Sequence, residues 1–121
     1  MKDIALVIED DEDLAIIFSE ALNAADFETE IVRDGWVAWK RLQEVRPAVV
    51  ILDMHLPHIS GADLLKQIRA DAKMAKTRVV VITADARMGD AVREEADFVL
   101  IKPTSFVQLR ELSARLHQTT V

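Results

Sequence analysis

The stretch VVILDMHLPHISG, residues 49–61, opens with four apolar residues and then stops on a carboxylate, Asp53. A short unbroken apolar run bounded by turn residues reads as a strand buried on both faces, of the kind found at the centre of a parallel sheet. An ionised carboxylate is costly to bury without compensation, so a core strand that ends on one marks that end of the sheet as a place with a use. Pro57 and Gly61 shape the loop beyond it. GADLLKQIRAD (61–71) then takes up helical spacing, with Leu64, Leu65 and Ile68 on the inner face.

Working outward from this strand, apolar strand-like runs alternate with amphipathic ones. Residues 4–8 read as a first strand. Leu14, Ile17, Phe18 and Ala21 give the inner face of a first helix, with Asp11 or Asp13 as its N-cap and with Ala15 and Ile16 on the outer face. FETEIVR (27–33) alternates polar and apolar residues and suits a half-exposed edge strand. DGWVAWKRLQEV (34–45) is a second helix stopped before Pro47, with Trp39 in the core and Trp36 at the surface. Residues 48–52 are the third strand and 78–82 the fourth. A short, weak helix falls within 86–95, the fifth strand is 98–101, and the last helix is 105–118, with Phe106, Leu109, Leu112 and Leu116 inward. Such alternation predicts an α/β, flavodoxin-like three-layer sandwich. Its five-stranded parallel sheet has the order 2-1-3-4-5, with helices on both faces and a shortened fourth helix.

The 121 residues suit a single domain spanning 1–121, half of them apolar. The net charge of −6 argues against non-specific nucleic-acid binding. There is no cysteine, hence no disulfide and no thiolate metal site. The opening apolar run is too short for a signal peptide or a membrane span, so a soluble cytoplasmic protein is expected.

In an open α/β sheet, ligands sit beyond the carboxyl ends of the strands. There the first strand delivers Glu9 and Asp10, the third Asp53, the fourth Thr83 and the fifth Lys102. Each has an ordinary reading as a cap, a strand-end threonine or a solvated lysine. Their convergence on one edge does not, because clustered carboxylates repel one another and raise each other's pKa. A divalent cation and a lysine would relieve that repulsion. Mg²⁺, which takes oxygen ligands and keeps several waters, suits the set better than zinc.

LVIEDDEDL, ILDMHLPHISG, VVVITA and the KP at 102–103, in this order and spacing, resemble the receiver domain of bacterial two-component response regulators over the whole chain. The resemblance implies that Asp53 is the phosphoacceptor and that Glu9, Asp10 and Asp53 hold Mg²⁺. In that arrangement Asp10 is the direct ligand, Glu9 acts through water, and the backbone carbonyl of His55 completes the set. It further implies that Thr83 and Lys102 each bind a phosphoryl oxygen and that the Lys102–Pro103 bond is cis. The implied partners are a sensor histidine kinase or histidine phosphotransfer protein and a downstream protein target, with no nucleic acid or membrane. The implied activity is confined to the domain's own phosphorylation and dephosphorylation, so it is not an enzyme acting on a separate substrate. The histidine rings at 55 and 58 are read as solvent-facing, and Lys102 as an exposed side chain whose loss costs little stability.

Two features depart from the family pattern. The position three before the lysine, which in the family carries Tyr or Phe, is Val99, and strand alternation points Phe98 to the opposite face. Only nineteen positions separate Thr83 from Lys102, which shortens the fourth helix, and Gly89 weakens what remains of it. A stand-alone receiver is the first functional reading. A pseudo-receiver regulated without phosphate is a second. A small Asp-nucleophile phosphatase is a third, disfavoured because the acid such enzymes carry two residues past the nucleophile is here His55.

Overall fold

A computed structural model describes residues 2–117. The elements follow in the order β1 (Ile4–Ile8), α1 (Glu12–Ala24), β2 (Glu28–Val32), α2 (Gly35–Val45), β3 (Val49–Leu52), α3 (Gly61–Ala70), a 3₁₀ turn (Ala72–Met74), β4 (Arg78–Thr83), α4 (Ala86–Val92), β5 (Phe98–Ile101) and α5 (Phe106–Leu116). All strand pairs are parallel, in the order β2-β1-β3-β4-β5, as the alternation predicts. The last helix expected from the sequence extends to residue 118, which lies outside the described residues.

Each helix starts where a short polar side chain can accept from its free first-turn amides. Asp11 caps α1, Asp34 caps α2, Ser60 caps α3, Asp85 caps α4 and Ser105 caps α5. Between the two candidate caps for α1, the helix uses Asp11. Arg46 ends α2 in the left-handed region (φ 44°), ahead of Pro47.

The core has two layers. One side of the sheet packs Leu6, Ile8, Val50, Leu52, Val79 and Val81 against Leu42 of α2 and Leu64, Leu65 and Ile68 of α3. The other packs Val7, Val49, Ile51, Val80 and Ile82 against Phe18 and Leu22 of α1 and Leu109, Leu112 and Leu116 of α5. All four residues of β3 are buried, whereas β2 buries only Val32.

The register of α1 differs from the sequence expectation. Ala15, Phe18, Ala21 and Leu22 are buried, while Ile17 stays 38% and Ile16 44% exposed. Two helical stripes pass through Phe18, one by way of 14, 17 and 21 and one by way of 15 and 22. The helix turns residues 15, 18, 21 and 22 inward, so Ala15 belongs to the core and both Ile16 and Ile17 face out. Trp39 packs partly buried on the core and Trp36 is exposed, as expected.

A polar network that no local sequence pattern marks fastens the short α4 region. Arg69 of α3 donates to the carbonyls of Glu95 (2.6 Å) and Thr77 (3.0 Å) and to Asp97 (2.8 Å). Asp97 also accepts from Arg78 (3.2 Å) and from the Val79 amide (2.7 Å). Among the described residues, no helix is long and apolar enough to cross a membrane.

Candidate functional site

Glu9, Asp53, Thr83 and Lys102 come together at the carboxyl edge of the sheet because β1, β3, β4 and β5 end there in register. The pairing Ile8–Leu52 places Glu9 beside Asp53, and Thr83 pairs with Ile101, next to Lys102. The backbone continues the ladder past the strand ends: the Asp53 amide donates to the Ile8 carbonyl (3.0 Å) and the Lys102 amide to the Thr83 carbonyl (2.9 Å). The Lys102–Pro103 bond is cis.

Ligand oxygens of Glu9, Asp10 and Asp53 all lie within 4.8 Å of one another. Glu9 and Asp53 are buried, at 1% and 4% exposure, while Asp10 faces solvent. Lys102 Nζ sits 2.9 Å from Glu9 Oε1 and 3.6 Å from Asp53 Oδ1, with its side chain only 20% exposed. Lys102 is therefore the largely covered counter-charge of the site rather than an exposed lysine, because its ammonium is drawn onto the buried Glu9 and Asp53 carboxylates. Burial pushes the Glu9 carboxyl up to about 7, and the Asp53 charge adds to the rise, against the pull of Lys102 and of the Asp11 amide. Burial lowers the Lys102 pKa, but the Glu9 and Asp53 carboxylates outweigh it and hold the ammonium above its usual value.

The loop after β3 is built for close approach. The Gly61 amide donates to the Met54 carbonyl (3.2 Å), and a Cβ at Gly61 would run into the Asp53 carbonyl. His55 is exposed and its ring takes no part in the carboxylate cluster. The His58 ring bonds Asp34 (2.5 Å) instead of a metal position. Thr83 is fully buried, and its hydroxyl oxygen accepts from the Asp85 amide (3.1 Å), leaving its own hydrogen to be donated elsewhere. Asp85 in turn caps α4 through the Arg87 and Met88 amides.

The model of the response regulator receiver domain matches residues 5–114. This chain belongs to the response regulator receiver family. It is 33% identical over 119 residues to the DNA-binding response regulator MtrA of Mycobacterium tuberculosis, covering 96% of this chain and 50% of that protein. It is 31% identical over 88 residues to the polar-differentiation response regulator DivK of Brucella anthropi, covering 73% and 72%. Beside the MtrA proteins, then, the chain spans about half the relative's length. Among solved structures, a CheY-like receiver domain from Methylobacillus flagellatus superposes with a TM-score of 0.84 at 27% identity, covering 96% of this chain and 99% of that one. The chemotaxis response regulator CheY4 of Vibrio cholerae superposes with a TM-score of 0.83 at 25% identity, covering 96% and 99%.

The receiver's carboxylate set fits a hard divalent cation on its own chemistry. Its donors are all oxygens. Glu9 Oε1 is buried without an aligned hydrogen bond, although Lys102 is close. A buried carboxylate with spare lone pairs beside two more acids is what a cation of the Mg²⁺ type stabilises.

The two departures from the family pattern hold in three dimensions. Val99 packs inward beneath α4, so close that a Cβ on Gly89 would lie 2.9 Å from Val99 Cγ1. Phe98 is 40% exposed on the other face.

Proposed function

We propose that this receiver accepts a phosphoryl group from the phosphohistidine of a sensor kinase or phosphotransfer protein onto Asp53, in a Mg²⁺-dependent reaction, and signals through protein contacts. The observation that carries the reading is the buried Asp53 carboxylate held between two further acids and Lys102. A strand-end carboxylate is a fixed nucleophile. A carboxylate oxygen of Asp53 bonds to phosphorus as the bond from phosphorus to the donor imidazole breaks, and the imidazole leaves with the electron pair. Lys102 is placed to follow the charge onto the phosphoryl oxygens, and the Thr83 hydroxyl has a hydrogen to donate to one of them. Glu9, Asp10, Asp53 and the His55 carbonyl would hold Mg²⁺, which supplies charge neutralisation at the transferring group.

We read the domain as a cytoplasmic, stand-alone receiver whose only catalysis is its own phosphorylation and dephosphorylation. The likeness to DivK, most of whose length is matched, supports the stand-alone reading. Because Val99 carries no ring to reorient, the readout falls to the segment wired to Thr83. Donation from Thr83 to phosphate pulls on the Asp85 amide and so on the first turn of α4. Beryllofluoride with Mg²⁺, a mimic of the acyl phosphate, tests this by amide chemical shifts. The expected changes centre on Asp53, Thr83 and residues 84–90, with Val99 quiet. Changes centred on Val99, Phe98 and α5, with 84–90 quiet, would show that the signal leaves by way of β5.

A further inference from the structure

Arg33 and Asp34, which join β2 to α2, and Gly35, the first residue of α2, touch both loops that carry metal-site residues, although none of them belongs to the site. The Arg33 guanidinium donates twice to the backbone carbonyl of Asp10, at 2.8 and 3.3 Å. Asp34 holds the His58 ring at 2.5 Å while capping α2 through the Trp36 and Val37 amides. The Gly35 amide donates to the Pro57 carbonyl at 3.0 Å, and a Cβ at Gly35 would collide with the backbone of Ile59. His58 itself holds a positive φ of 72°, a conformation a non-glycine residue keeps only when its surroundings fix it.

We infer that Arg33, Asp34 and Gly35 form a bracket that positions the metal site from outside: Arg33 fixes the Asp10 main chain, and Asp34 and Gly35 fix the loop that carries His55. This rests on the proposed Mg²⁺ site. Asp10 is the exposed member of the carboxylate cluster and has no side-chain partner among the described residues' hydrogen bonds, so its placement depends on its backbone. Arg33 supplies the side-chain hydrogen bonds to that backbone. The other loop is tied to the same corner, so the distance between the Asp10 and His55 segments is set by three consecutive residues. Groups that orient metal ligands in this way typically change metal affinity ten- to a hundredfold when removed.

The sign of the effect separates positioning from charge. Arg33 is a cation beside an acidic cluster. If it acted through charge alone, its removal would relieve repulsion of the metal and tighten binding. A bracket predicts the reverse.

The test is Mg²⁺ titration of the full chain by calorimetry, with tryptophan fluorescence as a second signal, since Trp36 adjoins the bracket. Arg33→Ala should weaken Mg²⁺ binding about tenfold with an unchanged melting temperature, as suits an exposed side chain. Arg33→Gln keeps a donor for the Asp10 carbonyl but no charge and should bind at least as tightly as wild type. Asp34→Asn keeps the helix cap, weakens the hold on His58 and should speed amide exchange at residues 55–59 in metal-free protein. Phosphorylation of Arg33→Ala should return to the wild-type rate at saturating Mg²⁺, because the defect lies in affinity. Equal or tighter Mg²⁺ binding by Arg33→Ala overturns the bracket while leaving the metal site standing. Failure of the wild type to bind Mg²⁺ overturns the metal site itself.

Discussion

At Lys102 one ammonium serves two carboxylates, 2.9 Å from Glu9 and 3.6 Å from Asp53. Removing it leaves two buried acids facing each other and, in the proposed reaction, takes away the donor that follows charge onto the phosphoryl group. Lys102→Ala should slow phosphorylation of Asp53 by a small-molecule donor about a hundredfold while tightening Mg²⁺ binding, measured by adduct formation and by calorimetry. Glu9 gives a pH dependence of definite sign. Its carboxyl titrates near 7 in the fold against 4.5 when free. The folded metal-free protein therefore binds the extra proton in that window, and stability is fully present below pH 4.5 and is lost as pH rises through about 7. Urea melts in EDTA should show a loss on the order of 2 kcal/mol between pH 5 and pH 8. The loss should be absent in Glu9→Gln and reduced by Mg²⁺. A metal-free stability that rises over that range would contradict the burial of Glu9. The spacing of polar residues at strand ends made the clustering of Glu9, Asp10, Asp53 and Lys102 legible in the sequence. That Lys102 is largely covered was not legible, because it depends on the loop that carries it.

At the level of elements, α4 lies over β5 through a glycine and a valine. Gly89 has no room for a Cβ above Val99, so the two residues are coupled. Gly89→Ala should destabilise the wild type, yet gain about 1 kcal/mol from helix propensity once Val99→Ala has opened the space. A double-mutant cycle by chemical denaturation reads this reversal, and equal effects in both backgrounds would mean that α4 does not rest on Val99. The substitution at 99 and the shortening before Lys102 were visible in the sequence. That Gly89 rests on Val99 was not, since the contact joins positions on different elements. The α1 register shows a similar limit. Residues 14, 17 and 21 and residues 15 and 22 offer competing stripes through Phe18, and only packing against the sheet and α5 decides between them. Strand order was legible throughout, because right-handed crossovers limit the topologies and an edge-like β2 favours the order observed.

Across the whole molecule, the carboxyl edge of the sheet carries the candidate site and the opposite edge carries fastenings that the sequence does not announce. Asp97 joins β4, α3 and the approach to β5 through Arg69, Arg78 and the Val79 amide. Its carboxylate is about one-fifth exposed, so its charge-assisted bonds are only partly screened. Asp97→Ala should cost about 2–3 kcal/mol of unfolding free energy without altering Mg²⁺ affinity, a separation that follows from its distance along the strands from Asp53. Such contacts bridge 18 to 28 positions in sequence and follow no local periodicity. The central claim, that the buried carboxylate at the end of β3 is a phosphoacceptor, is tested most directly by intact-mass spectrometry. The protein is incubated with acetyl phosphate and Mg²⁺, beside an Asp53→Ala control. A single phosphoryl adduct in the wild type, absent from the variant and from EDTA-treated protein, is the predicted result. An adduct that persists in Asp53→Ala, or none in the wild type, would contradict the account.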